Sequence, residues 1–129
     1  MENNLLISVV DDDESVRESL PDLLREFGFA VETFASAEDF LASGRVVTTA
    51  CLILDIAMPG MSGPDLQHEL VQRRQKVPII FITAHADPSM FPRLIDQGAS
   101  ACLLKPFSDT ALRDALDVAL DGRLQSSDR

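Results

Sequence analysis

The chain alternates short apolar runs with longer stretches of helical spacing. Five runs stand out, at residues 5–10, 30–34, 51–54, 79–83 and 101–104. Pro78-Ile79-Ile80-Phe81-Ile82 is continuously apolar rather than alternating, which is the pattern of parallel strands covered on both faces. The stretches between carry readable helix starts. Ser36 precedes Glu38 and Asp39, a cap followed by an acidic first turn. Ser62 and Asp65 make a capping pair, with Pro64 where its missing N–H does no harm. Asp87-Pro88 reads as an N-cap followed by proline at the first helical position. Ser108 precedes a helix with Leu112, Ala115, Leu116, Ala119 and Leu120 on one face. The first helix, over residues 14–27 and closed by Gly28, contains Pro21. That proline removes a bond to the Arg17 carbonyl and predicts a kink. Strand and helix alternate five times, which implies an α/β fold: a parallel, doubly wound sheet with right-handed crossovers.

Composition narrows the classes. The 129 residues suit one domain, and 46% apolar with 25% charged residues is an ordinary globular balance. The net charge of -10 argues against direct nucleic-acid contact, which needs clustered Lys and Arg, and suits a metal cation or a basic partner. No apolar run approaches the ~18 residues of a membrane span, and Met1-Glu2-Asn3-Asn4 lacks a basic leader, so a cytoplasmic location is expected. Cys51 and Cys102 fit a reducing compartment. With His68 and His85 they show no zinc-ligand spacing.

The chemistry collects at the strand ends. In open α/β sheets, ligands bind beyond the C-terminal ends of the strands. The first strand ends in Asp11 and Asp12, the third in Asp55 and the fourth in Thr83, and Lys105-Pro106 follows the fifth. Three carboxylates, a hydroxyl and an ammonium therefore converge on one rim. Oxygen ligands suit a hard divalent cation, Mg2+ above all. With that ion the formal charges of the three carboxylates and Lys105 balance. A carboxylate beside Mg2+, a lysine and a hydroxyl is also a candidate nucleophile for phosphoryl transfer. Asp13 and Glu14 read as acids starting the first helix.

These residues resemble the receiver domain of two-component response regulators. The matching stretches are Val9-Val10-Asp11-Asp12, Leu54-Asp55-Ile56-Ala57-Met58-Pro59-Gly60, Ile82-Thr83-Ala84-His85 and Leu104-Lys105-Pro106-Phe107, in the family's order and spacing. Thr83-Ala84-His85-Ala86-Asp87 and Ser36-Ala37-Glu38 are most similar to the FixJ-type branch, in which a helix-turn-helix output domain usually follows. The resemblance implies a flavodoxin-like receiver fold with strand order 2-1-3-4-5, over residues 1–121, with 122–129 a polar tail or the start of a linker. It implies phosphorylation of Asp55 by a sensor histidine kinase. Mg2+ would be held by Asp12, Asp55 and the Ala57 backbone carbonyl, with Asp11 acting largely through water. Thr83 would bond the phosphoryl group and move on activation, Lys105 would pair with a phosphoryl oxygen, and the Lys105–Pro106 bond would be cis. The output surface would be the fourth helix, fifth strand and fifth helix, serving a homodimer or an effector domain. Such a module is no enzyme beyond its own phosphorylation and dephosphorylation.

One position departs from the family. Three residues before the lysine, where an aromatic ring usually reports the switch, stands Cys102. Switching would then fall to the loop after Thr83, with His85 or Phe91 as movers. A phosphorylation-independent interaction module, or a phosphate sink, is the alternative. A hydrolase of the haloacid-dehalogenase type would need a second Asp two residues after Asp55, where Ala57 stands. No G-x-G-x-x-G follows the first strand, which disfavours dinucleotide binding. In the order 2-1-3-4-5, Cys51 and Cys102 lie two strand spacings apart, about 9.6 Å, too far for a disulfide.

Overall fold

A computed structural model describes residues 5–84 and 88–127. All five apolar runs form strands: β1 Leu6–Val10, β2 Ala30–Phe34, β3 Thr49–Asp55, β4 Ile79–Thr83 and β5 Ala101–Leu104. They pair in parallel in the order β2-β1-β3-β4-β5, as expected. The helices are α1 Glu14–Glu26, α2 Ala37–Ala42, α3 Gly63–Gln72, α4 Phe91–Asp96 and α5 Asp109–Ser127.

The continuous apolar strands are explained by two cores, one on each face of the sheet. Along β3, Cys51 and Ile53 face one way and pack with Leu24, Leu112 and Leu116 of α1 and α5. Leu52 and Leu54 face the other way, with Phe40, Leu66 and Leu94 of α2, α3 and α4. Both sides of the strand are therefore dry. Each fully buried Leu, Ile or Phe contributes about 1.5–3 kcal/mol of transfer free energy.

The caps follow the sequence closely. Ser36 accepts the Asp39 N–H, Ser62 and Asp65 form a reciprocal capping box, and Ser108 accepts the Ala111 N–H. Helix α1 runs unbroken through the buried Pro21. Its neighbours Leu20 and Leu24 are anchored in the core, so packing holds the helix past the missing bond.

One boundary differs from the sequence reading. The segment from Pro88 opens as a single 3-10 turn, Pro88–Met90, and the α-helix begins only at Phe91. Pro92 gives the reason: inside a helix begun at Pro88 it would cost a hydrogen bond and crowd the preceding turn, whereas it fits the first turn of one begun at Phe91. The Asp87 cap lies outside the described residues. At the other end α5 stays helical to Ser127, beyond residue 121, in keeping with the helix-favouring Arg123, Leu124 and Gln125. Both cysteines are free, on strands separated by β4.

Candidate functional site

Strand register assembles the rim. Val10 pairs with Leu54, so Asp11 and Asp55 each follow a paired residue on adjacent strands. Asp55 pairs with Ile82, setting Thr83 one step on. Thr83 pairs with Leu104, setting Lys105 one step beyond. The Lys105 N–H donates to the Thr83 carbonyl at 2.7 Å, and the Lys105–Pro106 peptide is cis.

Asp11 is fully buried, Asp55 and Thr83 are nearly so, and Asp12 is exposed at the rim. One carboxylate oxygen from each of Asp11, Asp12 and Asp55 lies within 4.8 Å of the others. The Lys105 ammonium sits 2.8 Å from Asp11 Oδ2 and 3.8 Å from Asp55 Oδ1. Asp11 is held on three sides: the Asp13 N–H donates to its Oδ1 at 2.9 Å, Arg17 donates to its carbonyl at 2.9 Å, and Lys105 faces Oδ2. Asp11 Oδ2 is buried with the Lys105 ammonium beside it.

The electrostatics of the cluster are unfinished. Burial pushes the Asp55 carboxyl up to about 7, with the Asp11 charge adding to the rise and Lys105 opposing it. Burial alone would lower the Lys105 ammonium, but the Asp11 hydrogen bond and charge outweigh it, so its pKa rises. One ammonium does not balance three carboxylates. The remaining demand is for positive charge beside oxygen donors, and an all-oxygen set of three convergent carboxylates fits a hard cation. The acidic cluster has the donor composition of a hard-metal site.

The backbone after Asp55 is shaped by Gly63, whose N–H donates to the Ile56 carbonyl at 2.9 Å. A Cβ there would collide with the Asp55 carbonyl and come within 3.1 Å of the Phe81 ring. The loop between leaves Ala57 exposed at the rim. Asp13 is the N-cap of α1. The Ser15 hydroxyl and N–H hold its carboxyl below the ordinary value, so its part is structural. Cys102 is half-buried against the α2–α4 core, and burial pushes its thiol up to about 11, which keeps it protonated. Phe91 packs against the same core. His85 lies outside the described residues.

Two contributors escaped the sequence reading. Arg17 reaches back from α1 to the Asp11 carbonyl, and Glu38 reaches from α2 to the Met61 N–H. Glu38 is visible in sequence only as a first-turn acid, because its partner is 23 residues away.

Residues 7–117 match the family described as the response regulator receiver domain. The chain is 44% identical over 116 residues to nodulation protein W of Bradyrhizobium diazoefficiens, covering 90% of this chain and 51% of that protein. It is 42% identical over 115 residues to response regulator protein TodT of Pseudomonas putida, covering 89% and 51%. Among solved structures, response regulator StyR matches with a TM-score of 0.84 at 47% identity, covering 95% of this chain and 64% of that one. FixJ-N matches with a TM-score of 0.83 at 38% identity, covering 94% and 96%. The chain belongs to the response regulator receiver family, the phosphoacceptor modules of two-component signal transduction, and its relatives include FixJ-type regulators. It spans about half the length of these curated relatives. Among the described residues, no helix is long and apolar enough to cross a membrane.

Proposed function

We propose that Asp55 accepts a phosphoryl group from the phosphohistidine of a sensor histidine kinase, in a Mg2+-dependent reaction in the cytoplasm. The observation that carries this reading is a buried Asp55 carboxylate flanked by Asp11 and Lys105, with more negative charge than one ammonium can balance. Asp12, Asp55 and the Ala57 carbonyl would hold the cation, with Asp11 as a further carboxylate beside it. Mg2+, when bound, supplies the positive charge that keeps Asp55 ionised and neutralises charge on the transferring oxygens. An Asp55 oxygen attacks phosphorus in line with the departing imidazole. Lys105, already between Asp11 and Asp55, pairs with a phosphoryl oxygen. Thr83 donates its hydroxyl to another.

A groove of about 790 Å³ between α1 and the β5–α5 loop, lined by Ser15, Ser19, Leu23, Lys105, Pro106 and Phe107, offers the kinase a seat beside the site. The output surface is α4-β5-α5, where Ile95, Leu104 and Val118 are exposed apolar residues, one on each element. It serves a homodimer or a C-terminal effector domain, as in the FixJ-type branch.

Intact-protein mass spectrometry after incubation with a small phosphodonor tests the reading. Wild type should gain one phosphoryl only with Mg2+, and Asp55→Asn should gain none. A second reading, a module that binds its partner without phosphate, is favoured by Cys102 in the usual aromatic position. Failure of both the small donor and a cognate kinase to label the protein would make it the better account.

A further inference from the structure

The loop between Asp55 and α3 carries the Ala57 carbonyl, so its shape decides whether that oxygen faces the rim. Both ends of the loop are fixed. At the near end the Gly63 N–H closes on the Ile56 carbonyl, and at the far end the Ser62–Asp65 box sets the start of α3. Residues 57–61 between them make no backbone–backbone hydrogen bond among the described residues. Met58 is buried in the α2–α4 core and Met61 packs against it, and the polar tether is Glu38, whose Oε2 accepts the Met61 N–H at 3.0 Å.

Gly60 shows how closely this carboxylate approaches. Its φ is +74°, and a Cβ built there would lie 2.9 Å from Glu38 Oε2. Glycine thus supplies both the left-handed turn and the room for the acid. The platform beneath Glu38 is firm. Ser36 caps α2, and Phe40 is fully buried and meets Phe34 edge-on at 5.4 Å between ring centroids. A side chain held by such a platform can fix a loop that has no internal bonds of its own.

We propose that Glu38 is a positioning residue for the phosphoacceptor site. Through the Met61 amide it holds the β3–α3 loop in the shape that presents the Ala57 carbonyl to the cation. The proposal rests on the reading of Asp55, Asp12 and Ala57 as the cation site. Without the tether, the part of the loop that Met58 does not anchor must be ordered at the moment of binding, and that entropy weakens affinity.

The test compares wild type, Glu38→Ala, Glu38→Gln and, as a control for charge, Asp39→Asn. Amide exchange of Met61 is measured in EDTA, Mg2+ affinity by calorimetry, and labelling by a small phosphodonor across Mg2+ concentrations. Glu38→Ala should exchange Met61 faster and bind Mg2+ about fivefold more weakly, the worth of one ordinary hydrogen bond. Its labelling should recover at saturating Mg2+. Glu38→Gln keeps an oxygen acceptor and should stay within about twofold of wild type, as should Asp39→Asn. Unchanged Mg2+ affinity in Glu38→Ala, or a Glu38→Gln as impaired as Glu38→Ala, overturns the proposal. If wild type itself neither binds Mg2+ nor takes up phosphoryl, the cation-site reading falls and this one with it.

Discussion

Two buried polar groups sit in the same sheet and are treated in opposite ways. Near the start of β3, Ser8 and Thr49 are buried with their hydroxyls 2.7 Å apart. Thr49 spends its proton on the Arg45 carbonyl at 2.6 Å, so Ser8 must be the donor to Thr49. That pair is neutral and each hydroxyl proton has an acceptor. At the far end of the same strand, Asp55 sits in a cluster whose carboxylates outnumber its ammonium. The first arrangement is a finished piece of structure. The second has been left open, and a buried polar group short of partners is costly unless something arrives to complete it. The contrast separates the residues that hold this protein together from those that bind.

Breaking the charged cluster should cost most. Lys105→Met leaves the buried carboxylates without their ammonium and should lower stability in EDTA by about 3 kcal/mol, measured by urea denaturation. Added Mg2+ should restore part of that loss. Equal stability of the variant and wild type would mean that the cluster is already neutral.

The hydroxyl pair should respond more mildly and without touching phosphorylation. Thr49→Val strands the Ser8 donor and should cost about 1–3 kcal/mol, while Ser8→Ala, which leaves the Thr49 donor satisfied, should cost about 1 kcal/mol. The double variant should recover part of the larger loss, and all three should be labelled at Asp55 as wild type is.

A third effect is a slope with pH. Burial raises Asp55 from the ordinary 3.8 to about 7, so between those values the folded state holds a proton that the unfolded state has lost. Stability therefore falls as pH rises through that window. Asp55→Asn lacks this penalty. In EDTA its stability relative to wild type should grow from acid toward neutral pH and level off above about 7. A pH-independent difference would show that Asp55 is ionised throughout.

Much of this contrast is legible in the sequence, for a physical reason. Asp11, Asp55, Thr83 and Lys105 each follow an apolar run, and in a parallel sheet the ends of such runs share one rim. The strand order and caps follow from equally local signals. Glu38 and Arg17 are not legible, because each acts on a backbone group that no periodicity links to it. The Ser8–Thr49 bond spans 41 residues and hides in the same way. The start of α4 is not legible, because Asp87-Pro88 looks like a complete signal, while Pro92 favours an α-helix begun at Phe91.

The most direct test of the open cluster is thermal denaturation near neutral pH, in EDTA and across a Mg2+ titration, for wild type, Asp11→Asn, Asp55→Asn and Thr49→Val. Ligand that binds only the folded state raises Tm with its concentration. Mg2+ should stabilise wild type and Thr49→Val alike, and should lose most of its effect on Asp11→Asn and Asp55→Asn. No shift in wild type, or the same shift in all four proteins, would contradict the account.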